Sequence, residues 1–213
     1  MYYIAWDVYL YSQPDSAFYF AQMGYDLAEI IDNKKWMSNF LNVKGASFYL
    51  EANYEKALEY YKEGLKIDEE LGDKKGIGSS YNNIGLVYSS QKNYKKALEF
   101  YEKSLNIQYQ LGNKNDLVAD YNNIGNIYSY QNNYEKALEY YYMCLNIDKQ
   151  LGNKKGMGSS YNNIGLIYYL QSNYEKALDC FVISLQIRED LGDEMGMGES
   201  YNNFGITYYD QAN

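Results

Sequence analysis

The chain has 213 residues, with 28 acidic against 19 basic side chains and a formal net charge of −9. It has one Arg, Arg188, and lacks the clustered Lys and Arg that displace counterions from phosphates, so nucleic acid is disfavoured as a partner. It has no His, which removes imidazole acid–base chemistry, His metal ligation and the usual nucleophilic triads.

The lysines sit mostly in Asp/Asn-Lys-Lys turns such as Lys74, Lys75, Lys154 and Lys155, which read as solvated loops. Cys144 and Cys180 form neither a metal-like spacing nor a small disulfide framework. Cys144 stands where Ser104 and Ser184 stand in other copies of the repeat below, so it reads as a small packing residue, and a reducing, cytoplasmic setting is expected. Asp7 interrupts the first apolar run and no basic segment precedes it, so no secretory signal is expected. No stretch is long and apolar enough to span a membrane. Neither a cofactor nor a metal is expected.

In chain order, Met1–Ser12 predicts a helix with Ala5 in a small-residue place. A second helix carries Ala17 and starts near Pro14, the only proline. A third carries Gly45 and Phe48. These first 52 residues keep a 40-residue frame but lose its consensus, with Val43 and Lys44 in place of a second Asn and an Ile.

From residue 53 the frame becomes explicit. NYEKALEYY at 53–61 returns as NYKKALEFY at 93–101, NYEKALEYY at 133–141 and NYEKALDCF at 173–181. Between them YNNIGLVY at 81–88 returns as YNNIGNIY at 121–128, YNNIGLIY at 161–168 and YNNFGITY at 201–208. Such a period predicts a stacked solenoid, read as one continuous domain over 1–213.

Within one unit, Tyr81, Ile84, Gly85 and Tyr88 fall at i, i+3, i+4 and i+7, on one face of a helix A. Asn93 suits the start of helix B, whose apolar stripe is Tyr94, Ala97, Leu98, Tyr101, Leu105 and Ile107. Gly112 can take the left-handed conformation that ends helix B, and Asn113 or its equivalents Asp73, Asn153 and Asp193 turn the chain into the next helix. Gly85 and Ala97, with their equivalents, predict the closest approach of A to B, with Tyr88 and Tyr101 filling the space beside it. A larger side chain there costs about 1–3 kcal/mol. Gly76-x-Gly78 and Gly156-x-Gly158 lack the strand and the Gly-Lys-Ser/Thr of a phosphate loop, so they too read as close packing.

The last helix, 201–213, is an A helix with no B after it, and it keeps Phe204 and Tyr208 on an apolar face. The expectation is an array that continues past this segment; the alternative is an end that stacks on another copy. The total is eleven helices, five pairs and a terminal A.

The spacing aromatic-x2-Leu-Gly-x2-Tyr followed by Ala-x3-Phe/Tyr resembles the tetratricopeptide repeat (TPR). Tyr81, Ile84, Gly85, Tyr88, Ala97, Tyr101 and Ser104 occupy its signature positions from about residue 53 to 208. The unit is longer than the usual repeat, lacks the Pro after helix B and ends in Leu-Gly-Asn or Leu-Gly-Asp. In this it is similar to the Pins/LGN scaffold group and to bacterial signalling proteins that carry such repeats.

The resemblance implies an all-α, right-handed α–α superhelix whose A helices line a concave groove. It also implies that Asn83, Asn123, Asn163 and Asn203 face that groove and grip the main chain of an extended peptide, since an amide both donates and accepts. The adjacent Asn82, Asn122, Asn162 and Asn202 lie about 100° round the helix and are expected between repeats or at the groove edge. Further along the wall come Leu86, Asn126, Leu166 and Ile206, then specificity pockets around Tyr130, Tyr169 and Leu170. The carboxylate clamp of chaperone-binding relatives needs Lys and Arg where this chain has Ser79, Asn82 and Asn83, so an acidic peptide terminus is disfavoured.

Glu55, Glu59, Glu135, Glu139 and Glu175 read as a charged outer face of helix B rather than as catalytic carboxylates, and no enzyme activity is expected. The leading function is a protein-binding module. A regulatory receptor for a short signalling peptide and a structural module that self-associates end to end are the alternatives.

Overall fold

A computed structural model describes residues 14–212. The described residues form ten α-helices and no strand. The helix expected at Met1–Ser12 lies outside them. The chain resolves into two compact units, 1–113 and 114–213. The first holds α1 (Pro14–Ile30), α2 (Lys34–Leu50), α3 (Tyr54–Leu71), α4 (Lys74–Ser90) and α5 (Tyr94–Leu111). The second holds α6 (Lys114–Tyr130), α7 (Tyr134–Leu151), α8 (Lys154–Leu170), α9 (Tyr174–Leu191) and α10 (Glu194–Ala212). The even-numbered helices are the A helices and the odd-numbered ones the B helices.

Local chemistry sets the helix ends. The side chains of Asn53, Asn93, Asn133 and Asn173 accept from the backbone N–H of Lys56, Lys96, Lys136 and Lys176, which caps four B helices. Gly72, Gly112, Gly152 and Gly192 end those helices at φ near +65°, where a Cβ is disfavoured. Asp73 and Asn153 cap α4 and α8. The lysines that follow them are therefore the first helical turn and not loops. They stay exposed, and Lys74 reaches across to Gln110 at 3.0 Å.

Each hairpin closes on a ring seated against a glycine. A Cβ added to Gly85 would lie 2.7 Å from the Tyr101 ring; at Gly125 it would lie 2.8 Å from Tyr141, and at Gly165 2.6 Å from Phe181. The small residue of helix A thus receives the aromatic of helix B, while Ala57, Ala97, Ala137 and Ala177 are fully buried. Tyr88 does not share this seat. It stacks on Phe100 at 5.6 Å between centroids, as Tyr128 does on Tyr140, with the ammonium groups of Lys96 and Lys136 over the rings at 5.0 and 4.8 Å. Lys44, which breaks the consensus, is buried with its ammonium 4.4 Å from the Tyr25 ring centroid and 5.5 Å from that of Tyr60; burial lowers its pKa.

A polar layer joins α7 to the start of α8 and α9 to the start of α10. Asp148 is buried and accepts from Asn153 at 2.8 Å and Ser160 at 3.4 Å. At the equivalent place Arg188 donates to the Gly196 carbonyl and to Ser200, and it pairs with Glu199 at 2.9 Å. Gly76 and Gly78 leave room for the Asp68 and Gln108 side chains of this layer, so these glycines do serve close packing. Cys144 is a buried free thiol that donates to the Val118 carbonyl at 3.5 Å; burial pushes its pKa up to about 12. It is the small packing residue the sequence suggested.

Three outcomes follow from this packing. Gly165→Ala loses about 1–3 kcal/mol in denaturant unfolding, because its Cβ would lie 2.6 Å from the ring of the buried Phe181. Gly205→Ala, on a glycine with nothing within 4 Å, gains about 0.5–1 kcal/mol from helix propensity. Burial raises the Asp148 pKa, so the folded state holds that proton more tightly than the unfolded chain, and stability falls as pH rises through the carboxylate range. Asp148→Asn flattens that fall in urea titrations at stepped pH.

Candidate functional site

In the second unit the A helices α6, α8 and α10 stand side by side, joined by side-chain hydrogen bonds. The amide of Asn163 donates to the Asn122 carbonyl oxygen at 3.4 Å, and that of Asn203 donates to Asn162 at 3.0 Å. In the first unit the amide of Asn83 donates to Asn42 at 3.5 Å. The spacing is 41, one repeat plus one residue. The second Asn of each pair therefore clasps the first Asn position of the preceding repeat. An Asn amide has two N–H groups and a carbonyl with two lone pairs. The clasp takes one N–H and leaves the carbonyl of Asn83, Asn163 and Asn203, which are half-buried. Asn123 occupies the same helical phase on α6 and is half-buried as well. In the first row Asn122 and Asn162 bond between repeats, and Asn162 is buried with its N–H reaching Glu199 at 3.3 Å, whereas Asn202 is exposed.

The other expected site residues divide. Asn126 accepts a 2.6 Å hydrogen bond from the hydroxyl of Tyr141, the ring seated on Gly125; this orients the amide and leaves its N–H groups to donate. Burial raises the Tyr141 phenol above its ordinary pKa, which keeps it a donor. Tyr169 donates to Asp210 of α10 at 2.7 Å, and that bond to a carboxylate holds its pKa above the ordinary value. Its hydroxyl therefore ties two A helices together, and its ring lies 6.0 Å from that of Tyr174. The same link occurs between Tyr49 and Ser90 at 2.9 Å in the first unit. Tyr130 and Leu170 are 62% and 48% exposed.

Sequence reasoning put Asn122 and Asn162 between repeats but missed that the second Asn row bonds to them and to Asn42, and it missed Asp210. The sequence held the residues for these clasps, adjacent Asn pairs in a strict 40-residue period, but not the offset at which they meet. In α6, α8 and α10 the only basic side chains are Lys114, Lys154 and Lys155, all in the first helical turn. Among the described residues no group of acidic or Cys side chains could hold a metal ion, and no helix is long and apolar enough to cross a membrane. The five glutamates expected on the outer face of helix B are exposed.

A family model described as tetratricopeptide repeat matches residues 36–110, 77–150 and 156–213. No curated protein matches the sequence. Among solved structures, BtubC (BKLC) from P. vanneervenii is 22% identical, with a TM-score of 0.82 over 94% of this chain and 85% of that one. The apo form of RapI is 18% identical, with a TM-score of 0.74 over 88% of this chain and 54% of that one. The apo quorum sensor NprR from B. thuringiensis is 18% identical, with a TM-score of 0.69 over 88% of this chain and 53% of that one. The chain thus spans about half the length of the last two.

A double-mutant cycle on Asn162→Ala and Asn203→Ala is expected to show a coupling of about 1 kcal/mol in urea unfolding. Amides that were only solvated would give additive effects.

Proposed function

The chain belongs to the tetratricopeptide repeat family, and on that premise we propose that it is a protein-binding module whose A-helix face in the second unit docks an extended peptide. The observation that carries this reading is the recurrence of one amide at one helical phase, with a single N–H committed to the neighbouring repeat. Asn123, Asn163 and Asn203 then present carbonyl and N–H groups at one-repeat intervals to a peptide main chain. Asn83 carries the same chemistry in the first unit. Each net hydrogen bond contributes about 0.5–1.5 kcal/mol, and ordering a flexible peptide takes back about 2–5 kcal/mol. The amides therefore hold the peptide only weakly. Specificity falls to Asn126 and to the surfaces of Tyr130, Tyr169 and Leu170. A face with basic groups only at its helix starts suits an uncharged or basic peptide.

The likeness to NprR, a quorum sensor, favours one second reading: a receptor that changes shape when a short signalling peptide binds. Small-angle scattering of the full chain with and without a selected peptide distinguishes the two, since docking alone leaves the radius of gyration unchanged.

To test docking, a displayed library of unstructured peptides is panned against the full chain, and hits are measured by calorimetry. Tyr130→Ala combined with Leu170→Ala is expected to weaken the hits at least about tenfold. Both side chains are exposed, so stability shifts by only about 0.5 kcal/mol for each. Hits that bind both proteins equally would remove this face from the function.

A further inference from the structure

One polar contact in the candidate site is not required by the fold. The Tyr141 ring seats on Gly125, and its hydroxyl donates to Asn126 Oδ1 at 2.6 Å. In the next repeat Leu166 stands at the place of Asn126 and Phe181 at the place of Tyr141. There the same ring-on-glycine contact forms with neither amide nor hydroxyl. Among the equivalents Ala46, Leu86, Asn126, Leu166 and Ile206, Asn126 alone is polar. The hairpin is built equally well without the pair, so its use lies elsewhere.

The bond fixes which way the amide faces. Tyr141 is buried, a buried phenol needs an acceptor, and the Asn126 carbonyl supplies it. The Nδ2 group is thereby turned the other way, on a side chain that is only half-buried. Asn123, Asn126 and Tyr130 fall at i, i+3 and i+7 of α6, on one helical face. Whatever meets Asn126 Nδ2 must accept a hydrogen bond. A side chain that only donates, such as lysine, finds N–H groups and no acceptor there. A carboxylate accepts, but the one basic side chain of α6, Lys114, lies a rise of roughly 18 Å along the helix, too far to pair with it. An uncharged carboxamide meets both conditions.

We propose that Asn126 is a specificity-determining residue of the peptide face, that Tyr141 is its positioning residue, and that together they select a peptide carrying Asn or Gln at the position they meet. The peptide's side-chain carbonyl accepts from Asn126 Nδ2, and its methylene stem packs on the exposed ring of Tyr130. This selection rests on peptide docking at the α6 face, and it names the side chain that the docked peptide must bring.

A displayed library of random unstructured peptides is panned against the full wild-type chain, and the hits are made as synthetic peptides for calorimetry. Asn or Gln is expected to recur at one position of hits that the Tyr130→Ala, Leu170→Ala chain binds more weakly. Replacing it by Lys or Leu should weaken binding to the wild-type chain at least about tenfold. Asn126→Leu installs the residue found at positions 86 and 166, so the fold tolerates it, and the preference for the amide over Leu should reverse. In Tyr141→Phe the Asn126 amide is free to turn, and the ratio of amide to Lys affinity should fall toward one. A loss of stability in that variant does not move this ratio, because both peptides meet the same folded protein. Hits that depend on Tyr130 and Leu170 but show no recurrent Asn or Gln overturn the selection and leave docking in place. So does an amide-to-Lys ratio equal in the wild-type and Tyr141→Phe chains. An absence of hits, or hits indifferent to Tyr130 and Leu170, removes docking itself, and selection by Asn126 falls with it.

Discussion

The seating of one aromatic ring on one glycine governs the rest of this structure. Where Tyr101, Tyr141 and Phe181 press against Gly85, Gly125 and Gly165, helices A and B come close enough to bury Ala97, Ala137 and Ala177 completely. That contact fixes the depth and rotation of each hairpin. It sends Tyr88 and Tyr128 outward to stack on Phe100 and Tyr140 under a lysine. It also carries the Tyr141 hydroxyl through to the far side of helix A, where it meets Asn126. A packing contact thereby becomes the support of a candidate binding residue.

Between hairpins the chain relies more on directional bonds. Asn-to-Asn clasps join A helices on one side, while Asp148 and Arg188 bond the next A helix near its start. Apolar surfaces slide at small cost, but hydrogen bonds among buried groups fail when the register shifts, and each unsatisfied group costs about 1–3 kcal/mol. The polar layers therefore set how one hairpin leans on the next within each unit.

The same economy shapes the candidate site. Asn163 serves the stack with one N–H and keeps its carbonyl, and Tyr169 gives its hydroxyl to Asp210 and keeps its ring. Residues of this kind join neighbouring A helices within a unit through one polar group. In α10 Thr207 is buried and donates to the Asn203 carbonyl at 2.7 Å, while Tyr201 and Tyr208 are exposed.

The sequence by itself determined the helices, their Asn and Asp caps, the left-handed glycines at their ends and the pairing of A with B. All of these depend on neighbours a few residues apart or on a period that any two copies reveal. Even Cys144 was readable, because its place is defined by Ser104 and Ser184. Only the tertiary structure decided that Tyr101 rather than Ala97 fills the Gly85 notch, that the second Asn row reaches back 41 residues, and that the Tyr169 hydroxyl is committed to Asp210. Those outcomes turn on the angle and offset at which one hairpin rests on another. Periodicity fixes which face a residue occupies, but a hydrogen bond forms only when two atoms on different helices come within about 3 Å.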